Sequence, residues 1–188
     1  STHVHLLFRC VEGERIAPLM KSVAGEFAQT YNRRKRRSGA YWGDRYHATL
    51  VDSGEYLWRC LQYIDLNMVR AGQVSHPSDW PWCGYHELIG RRKRYRLLNT
   101  AALCETLGYR GEETAFNSRY RESMNERIAG TDLARENCWT EALAVGRKDF
   151  VQRMASSLRN RRKLELIEPL NEGAPFVLRE REVSYGTA

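Results

Sequence analysis

The chain has 188 residues, of which 42% are hydrophobic, and no apolar run approaches the roughly 20 residues that a membrane-spanning helix needs. We therefore expect no membrane partner and, because the sequence shows no secretory apolar segment, a cytoplasmic location. The five cysteines include no closely spaced pair, which argues against a disulfide framework and against a cysteine-rich zinc site. The net charge of +7 and the pI near 9.3 indicate a polyanionic partner.

The positive charge is concentrated in three runs. The first run is Arg33, Arg34, Lys35, Arg36 and Arg37, the second is Arg91, Arg92, Lys93, Arg94, Tyr95 and Arg96, and the third is Arg159, Asn160, Arg161, Arg162 and Lys163. Runs of this kind are often only solvated faces. Aromatic residues that could stack on bases flank these runs, namely Tyr31, Tyr41, Trp42 and Tyr95. This combination favours a nucleic acid as the partner.

The first half of the chain predicts a strand, a helix, a second strand and a second helix. The first strand covers about 4–10, and the first helix covers about 18–34, where Pro18 suits a first helical turn and apolar residues recur at helical spacing. The second strand covers about 47–51. Asp52 or Ser53 is expected to cap the second helix, which ends near Ala71 with Gly72 as its C-terminal stop.

The second half predicts mainly helices. A connector rich in Pro and Trp covers 76–82, and we place a domain boundary near Gly90. Helical segments are expected at about 101–107, 114–128 and 140–158. After Glu168, scattered Pro and Gly residues predict an irregular tail.

Two residue pairs are candidate reactive groups. Alternate side chains of a strand share a face, so His3 and His5 would form a metal-chelating pair. Residues four apart in a helix are neighbours, so Tyr63 and Asn67 would project side by side, a nucleophile next to an oxygen ligand. The buried stripe of that helix is predicted as Leu57, Leu61, Ile64 and Met68, with Tyr56, Arg59, Tyr63, Asn67 and Arg70 on its polar side. Either pair alone is weak evidence for a reactive site, because histidines and tyrosines in such positions often serve only to pack against other side chains.

Together these motifs resemble the single-tyrosine transposases of the HUH nuclease superfamily, and most closely the REP-associated tyrosine transposases. The resemblance covers about the first half of the chain. It rests on His3-Val4-His5-Leu6-Leu7, Tyr41-Trp42-Gly43-Asp44-Arg45-Tyr46, Leu50-Val51-Asp52 and Tyr63-Ile64-Asp65-Leu66-Asn67-Met68-Val69-Arg70-Ala71-Gly72. Met68 stands where the family usually has Pro, at a helix end rather than at a reacting group.

The resemblance implies an α+β fold. Residues 1–90 would form a ferredoxin-like or RRM-like HUH domain with an antiparallel sheet and packed helices, 91–168 a helical basic extension, and 169–188 an irregular tail. Family members carry a further strand and helix before the His-x-His strand, so we expect the sheet to lack its first strand. The missing strand has two possible explanations. The chain is either an N-terminally shortened relative or the product of a gene whose reading frame starts further upstream.

The resemblance also implies an activity, that of a metal-dependent single-strand DNA endonuclease and strand transferase acting on hairpin or palindromic repeat DNA. Tyr63 would be the nucleophile and form a 5′-phosphotyrosine. His3, His5 and Asn67 would hold the divalent ion, and two imidazoles with an amide oxygen suit Mg²⁺ or Mn²⁺. The expected nucleic-acid contacts are Arg33, Arg34, Lys35, Arg36, Arg37, Arg45, Arg70, Arg91, Arg92, Lys93, Arg94 and Arg96. Arg45 would contact phosphate or hold its loop through an acidic partner.

A competing interpretation is a catalytically poor, DNA-binding remnant of such a transposase. A poorly anchored histidine strand would lower metal affinity, because ligands must be held in place to bind an ion well. The sequence leaves open which DNA is recognised and whether the chain is a monomer or a homodimer. It also leaves open whether Tyr63 acts on the metal site of its own subunit.

Overall fold

Eight α-helices and four β-strands form the part of this computed structural model that is described, residues 3–10, 16–130, 133–158 and 163–181. The helices are α1 (Ile16–Lys35), α2 (Glu55–Asp65), α3 (Asn67–Arg70), α4 (Tyr85–Leu88), α5 (Thr100–Thr106), α6 (Glu113–Ala129), α7 (Cys138–Glu141) and α8 (Lys148–Leu158). The strands are β1 (Leu50–Val51), β2 (Ala144–Gly146), β3 (Leu164–Ile167) and β4 (Phe176–Glu180). The chain divides into two compact units, Ser1–Ala48 and Thr49–Ala188.

The first unit is built around α1, and the helix predicted at 18–34 is confirmed. Phe27 and Tyr31 on one side of this helix contact Tyr41 and Trp42 in the segment that follows it. The Trp42 indole also donates a hydrogen bond to the carbonyl of Ala24 at 2.9 Å. These contacts fold the segment after the first basic run back onto the helix.

The strand predicted over 4–10 is wrong, because residues 3–10 adopt no strand. A strand depends on a neighbour that takes its backbone hydrogen bonds. The described residues of the first unit contain no second strand that could do so. The second predicted strand, 47–51, is reduced to Leu50–Val51 and belongs to the second unit.

The second unit contains a four-stranded sheet in the order β1-β2-β4-β3. β1 pairs with β2 in parallel, with Leu50 opposite Ala144, whereas β4 runs antiparallel to both β2 and β3. The sheet is therefore mixed, and the expectation of an antiparallel sheet is wrong. Val151 of α8 packs with Ala144 and with Leu178 of β4, so this helix covers part of the sheet.

The helix predicted over 140–158 is wrong in its first half, which contains β2. Ala144 and Val145 are fully buried in the centre of the sheet. A strand buried on both faces has no polar alternation, so its sequence does not distinguish it from a buried helix. β3 likewise interrupts the predicted helical extension, and β4 occupies part of the tail that is expected to be irregular.

Residues on both sides of Gly90, where a domain boundary is predicted, contribute to one core. This first cluster contains Leu61, Leu66, Tyr85, Leu88, Ile89, Cys104, Phe116, Tyr120 and Met124. A second cluster contains Cys60, Tyr63, Trp139, Ala142, Val145 and Val177.

α2 supplies residues to both clusters and is therefore buried on two sides. The prediction that Tyr56 and Tyr63 lie on a polar face of this helix is wrong. A single stripe of apolar residues marks one buried face and does not reveal a second.

At the level of fold class, helices together with a four-stranded mixed sheet confirm the α+β prediction. The helices expected at 101–107 and 114–128 are confirmed as α5 and α6. Among the described residues, no helix is both long enough and apolar enough to cross a membrane.

Candidate functional site

Tyr63 lies in the last turns of α2 and is 5% exposed. Its ring centre is 6.3 Å from that of Trp139, within the second cluster. On another side, the Arg70 guanidinium carbon lies 3.9 Å from the Tyr63 ring centre. The predicted nucleophile is thus held between an indole and a cation.

The helix that carries Tyr63 is interrupted rather than continuous. α2 ends at Asp65, α3 begins at Asn67, and the intervening Leu66 is fully buried. The Arg70 Nη2 donates a hydrogen bond of 2.6 Å to the Tyr63 carbonyl, which ties α3 back to α2. The end of the predicted helix is confirmed, since α3 is capped at Ala71 and Gly72 adopts a left-handed backbone.

The predicted cap of α2 is wrong. The N-cap position is Gly54, not Asp52 or Ser53. The Asp52 carboxylate instead accepts hydrogen bonds from the Arg147 side chain, at 2.8 Å from Nε, and from the Arg147 backbone N–H. Burial raises the pKa of Asp52, but the hydrogen bonds and charge of Arg147 outweigh that effect and lower it overall.

Two further arginines lie close to the Tyr63 and Arg70 pair. Arg59 of α2 and Arg127 of α6 both form ion pairs with Glu136, which also accepts a hydrogen bond from the Trp139 indole. Arg59, Arg127 and Glu136 line an open pocket of about 400 Å³. Burial, the largest effect, lowers the pKa of Arg70, and charge interactions with Tyr63 and Glu136 oppose it.

Sequence reasoning missed this arginine cluster. Arg59 and Arg127 lie 68 positions apart (127 − 59), on different helices, so no local motif joins them. Arg59 and Arg127 contact Glu136, and Arg70 interacts with it only through charge, so this region has a net positive charge that attracts phosphate.

His3 and His5 belong to the first unit, where their ring centres are 4.9 Å apart at an interplanar angle of 75°. Two imidazoles that bind one ion have centres roughly 5 Å apart, given metal–nitrogen distances near 2 Å. The His3 and His5 ring centres lie at about this separation, with the two rings edge to face. No three His, Cys, Asp or Glu side chains gather as metal ligands anywhere in the described ranges. The third expected ligand, Asn67, is a half-buried amide at the start of α3.

The second basic run divides into structural and exposed residues. Arg92 lies 3.8 Å from Glu87 and donates a 2.6 Å hydrogen bond to the Pro81 carbonyl. Arg96 forms a 3.2 Å ion pair with Glu113. The remaining basic residues of the run, Arg91, Lys93 and Arg94, are exposed. Two of the basic residues expected to bind DNA are therefore engaged in holding the loop.

Apart from the half-buried Arg70, the other expected DNA-binding residues are exposed. Residues 33–37 form the exposed C-terminal end of α1 and the turn after it, and Arg36 adopts a left-handed backbone with φ of 50°. Arg45 is exposed, next to Asp44, whose carboxylate accepts the Arg45 backbone N–H. Residues 159–162 of the third run lie outside the described residues.

Asp65, two positions after Tyr63, is a buried carboxylate that sequence reasoning did not single out. It accepts hydrogen bonds from the Tyr120 hydroxyl at 2.9 Å and from the Tyr85 N–H at 3.1 Å. Burial raises the pKa of Asp65 to about 7, against the opposing effect of these hydrogen bonds. Asp65 faces the first cluster and joins α2 to α4 and α6, which gives it a structural role.

Comparison with known proteins adds no relative to this picture. No protein-family model matches the chain, and no curated protein or solved structure matches it significantly.

Proposed function

We propose that this chain is a single-tyrosine DNA nuclease and strand transferase, a transposase of the HUH type, that acts on hairpin or palindromic repeat DNA. The observation that carries the proposal is the Arg70 guanidinium, 3.9 Å from the Tyr63 ring centre, in a helix end that resembles the family motif. A guanidinium beside the proposed nucleophile attracts the phosphate that is to be attacked. Arg59 and Arg127 add positive charge to the same region.

In the proposed reaction, the Tyr63 oxygen attacks the phosphorus of a DNA strand and loses its proton to solvent. A bond forms between this oxygen and phosphorus while the bond from phosphorus to the 3′ oxygen breaks, and the leaving 3′ oxygen takes up a proton. The products are a 5′-phosphotyrosine and a free 3′-hydroxyl, which can rejoin without an external energy source. Arg70 offsets the charge that develops on the phosphate oxygens.

We propose that His3 and His5 are ligands of a Mg²⁺ or Mn²⁺ ion. When bound, such an ion polarises a nonbridging phosphate oxygen. The adjacent imidazoles, with ring centres 4.9 Å apart, support this assignment. The proposal also places the chain in the cytoplasm.

A second candidate function is DNA binding without cleavage, by a remnant of such an enzyme. The burial of Tyr63, which is only 5% exposed, favours this alternative. A nucleophile must reach its phosphate, so cleavage by the enclosed Tyr63 requires a local opening of the second cluster.

The two candidate functions differ in one product: the nuclease forms a covalent protein–DNA adduct, and the DNA-binding remnant does not. The experiment incubates the protein and Mn²⁺ with a library of labelled, hairpin-bearing single strands and separates the products on a denaturing gel. We expect an adduct with the parent and none with Tyr63→Phe, since that change removes only the nucleophilic oxygen. Tyr56→Phe is a matched control, because Tyr56 is the other buried tyrosine of α2.

The Tyr56→Phe protein should form the adduct as the parent does, and all three proteins should bind the single strands equally. Binding by the parent without any adduct would select the second candidate. An adduct that persists in Tyr63→Phe would remove Tyr63 from the reaction.

A further inference from the structure

Three large apolar side chains in residues 81–98 are almost fully exposed. Trp82 is 81% exposed, Tyr95 94% and Leu97 90%. Single exposed apolar residues are common, but the exposure of a tryptophan, and of a tyrosine within a basic run, is not explained by packing. These residues belong to two segments, 81–84 and 91–98, that the structure holds against each other.

The loop between α4 and α5 is fixed at its start to Pro81, the residue before Trp82, and at its end to Glu87 of α4. At its start, Arg92 donates through Nη2 to the Pro81 carbonyl at 2.6 Å and through its N–H to the His86 carbonyl at 2.9 Å. At its end, the buried Glu87 carboxylate accepts the N–H groups of Leu97 and Leu98, at 2.9 and 2.8 Å. Both ends of the loop that carries Tyr95 are thereby held, and its start contacts the residue before Trp82.

The exposed charge of this loop is positive. Arg91, Lys93 and Arg94 are exposed and form no ion pair with the described residues, whereas Arg96 pairs with Glu113. Tyr95 adopts a left-handed backbone with φ of 53°, which is uncommon for a bulky residue. The loop therefore presents an aromatic ring among cations instead of burying it.

We propose that Trp82 and Tyr95 form a base-stacking platform for unpaired nucleotides of single-stranded DNA, and that Arg91, Lys93 and Arg94 bind the phosphates of the same strand. The inference rests on the proposed function for its partner, DNA, and extends it by assigning the surface that selects unpaired bases. Stacking accepts any base, because every base has a π-face, while the cations follow the backbone. Arg92 and Arg96 hold the loop and do not bind DNA.

The test measures the affinity of the full chain for a labelled oligothymidylate of about 12 nucleotides and for an abasic strand of equal length. Trp82→Ala and Tyr95→Ala should each weaken oligothymidylate binding about 10-fold, the reduction expected on removal of one base-stacking partner. Both should leave abasic-strand binding unchanged. Leu97→Ala is the matched control, because Leu97 is equally exposed in the same loop but has no aromatic ring, and it should bind as the parent does.

A second set of variants tests the charge. Arg91→Gln, Lys93→Gln and Arg94→Gln should each reduce the slope of log affinity against log salt by about 0.7, the value for neutralising one phosphate of a single strand. The aromatic variants should keep the parent slope.

The inference is overturned if Trp82→Ala and Tyr95→Ala bind oligothymidylate as the parent does, or if the parent binds neither strand. An adduct at Tyr63 combined with unaffected aromatic variants would refute the platform and keep the nuclease. Weakened binding in the aromatic variants without any adduct would keep the platform and refute the nuclease.

Discussion

Asp65 is a buried carboxylate whose protonation is linked to folding. Burial raises its pKa from 3.8 to about 7, so the folded protein holds a proton there over a pH range in which the unfolded chain has released it. Folding that takes up a proton is favoured at low pH. The contribution of Asp65 to stability is therefore complete below about pH 4 and disappears as the pH rises through about 7.

Asp65→Asn should remove this dependence, because an amide cannot ionise and keeps an acceptor for the Tyr85 N–H. The free energy of unfolding of the parent, measured by urea titration relative to the variant, should fall between about pH 4 and 7. The slope should not exceed about 1.4 kcal/mol per pH unit, the value for one proton. A difference between the two proteins that stays constant across this range would contradict the account of Asp65.

At the scale of elements, β2 packs closely against the end of β1 at Gly146. A Cβ added at Gly146 would lie 2.3 Å from the Asp52 Cβ and 2.8 Å from the Phe150 Cδ1. Arg147, the next residue, holds the Asp52 carboxylate, so Asp52 cannot move away without breaking that ion pair. Only glycine fits between these elements.

Gly146→Ala should lower the free energy of unfolding by about 2 kcal/mol or more, because overpacking forces the backbone and side chains apart. Gly130→Ala is the control in the same unit, since its nearest neighbour would be the Glu126 carbonyl at an ordinary 3.4 Å. The control should change stability by less than about 1 kcal/mol. Equal unfolding midpoints for the two variants would show that β1 and β2 are less closely packed than described.

The elements also show why some predictions succeed. α1, α5 and α6 are predictable because their helical spacing and flanking Pro, Asn or Gly residues are local signals. β2 and β4 are not, because the burial of a central strand depends on neighbours that are distant in sequence. The burial of Tyr63 has the same cause, since Trp139 and Val177 cover the face of α2 that the sequence presents as polar.

At the scale of the whole molecule, the net charge of +7 is the property that relates most directly to a nucleic-acid partner. Residues 33–37 place five exposed cations at the end of α1, and the second run exposes three more. The sequence predicts this distribution correctly, although it does not show that Arg92 and Arg96 are used to hold a loop.

Replacing Arg33, Arg34 and Lys35 together by Gln should lower single-strand affinity and flatten its salt dependence. The slope of log affinity against log salt should fall by about 0.7 for each phosphate that the variant no longer neutralises. Arg153→Gln is a control, because Arg153 is an exposed cation already paired with Asp149. If the triple variant keeps the parent slope, the first run is only a solvated surface.

The central claim, that Tyr63 joins the protein to DNA, is tested most directly by identifying the modified residue. The parent is incubated with hairpin-bearing single strands and Mn²⁺, the DNA is trimmed with a nuclease, and the tryptic peptides are sequenced by mass spectrometry. We expect a nucleotide attached through a 5′ phosphate to the Tyr63 oxygen, and no modification when Mn²⁺ is replaced by EDTA. A nucleotide attached to any other residue, or none despite measurable DNA binding, would contradict the claim.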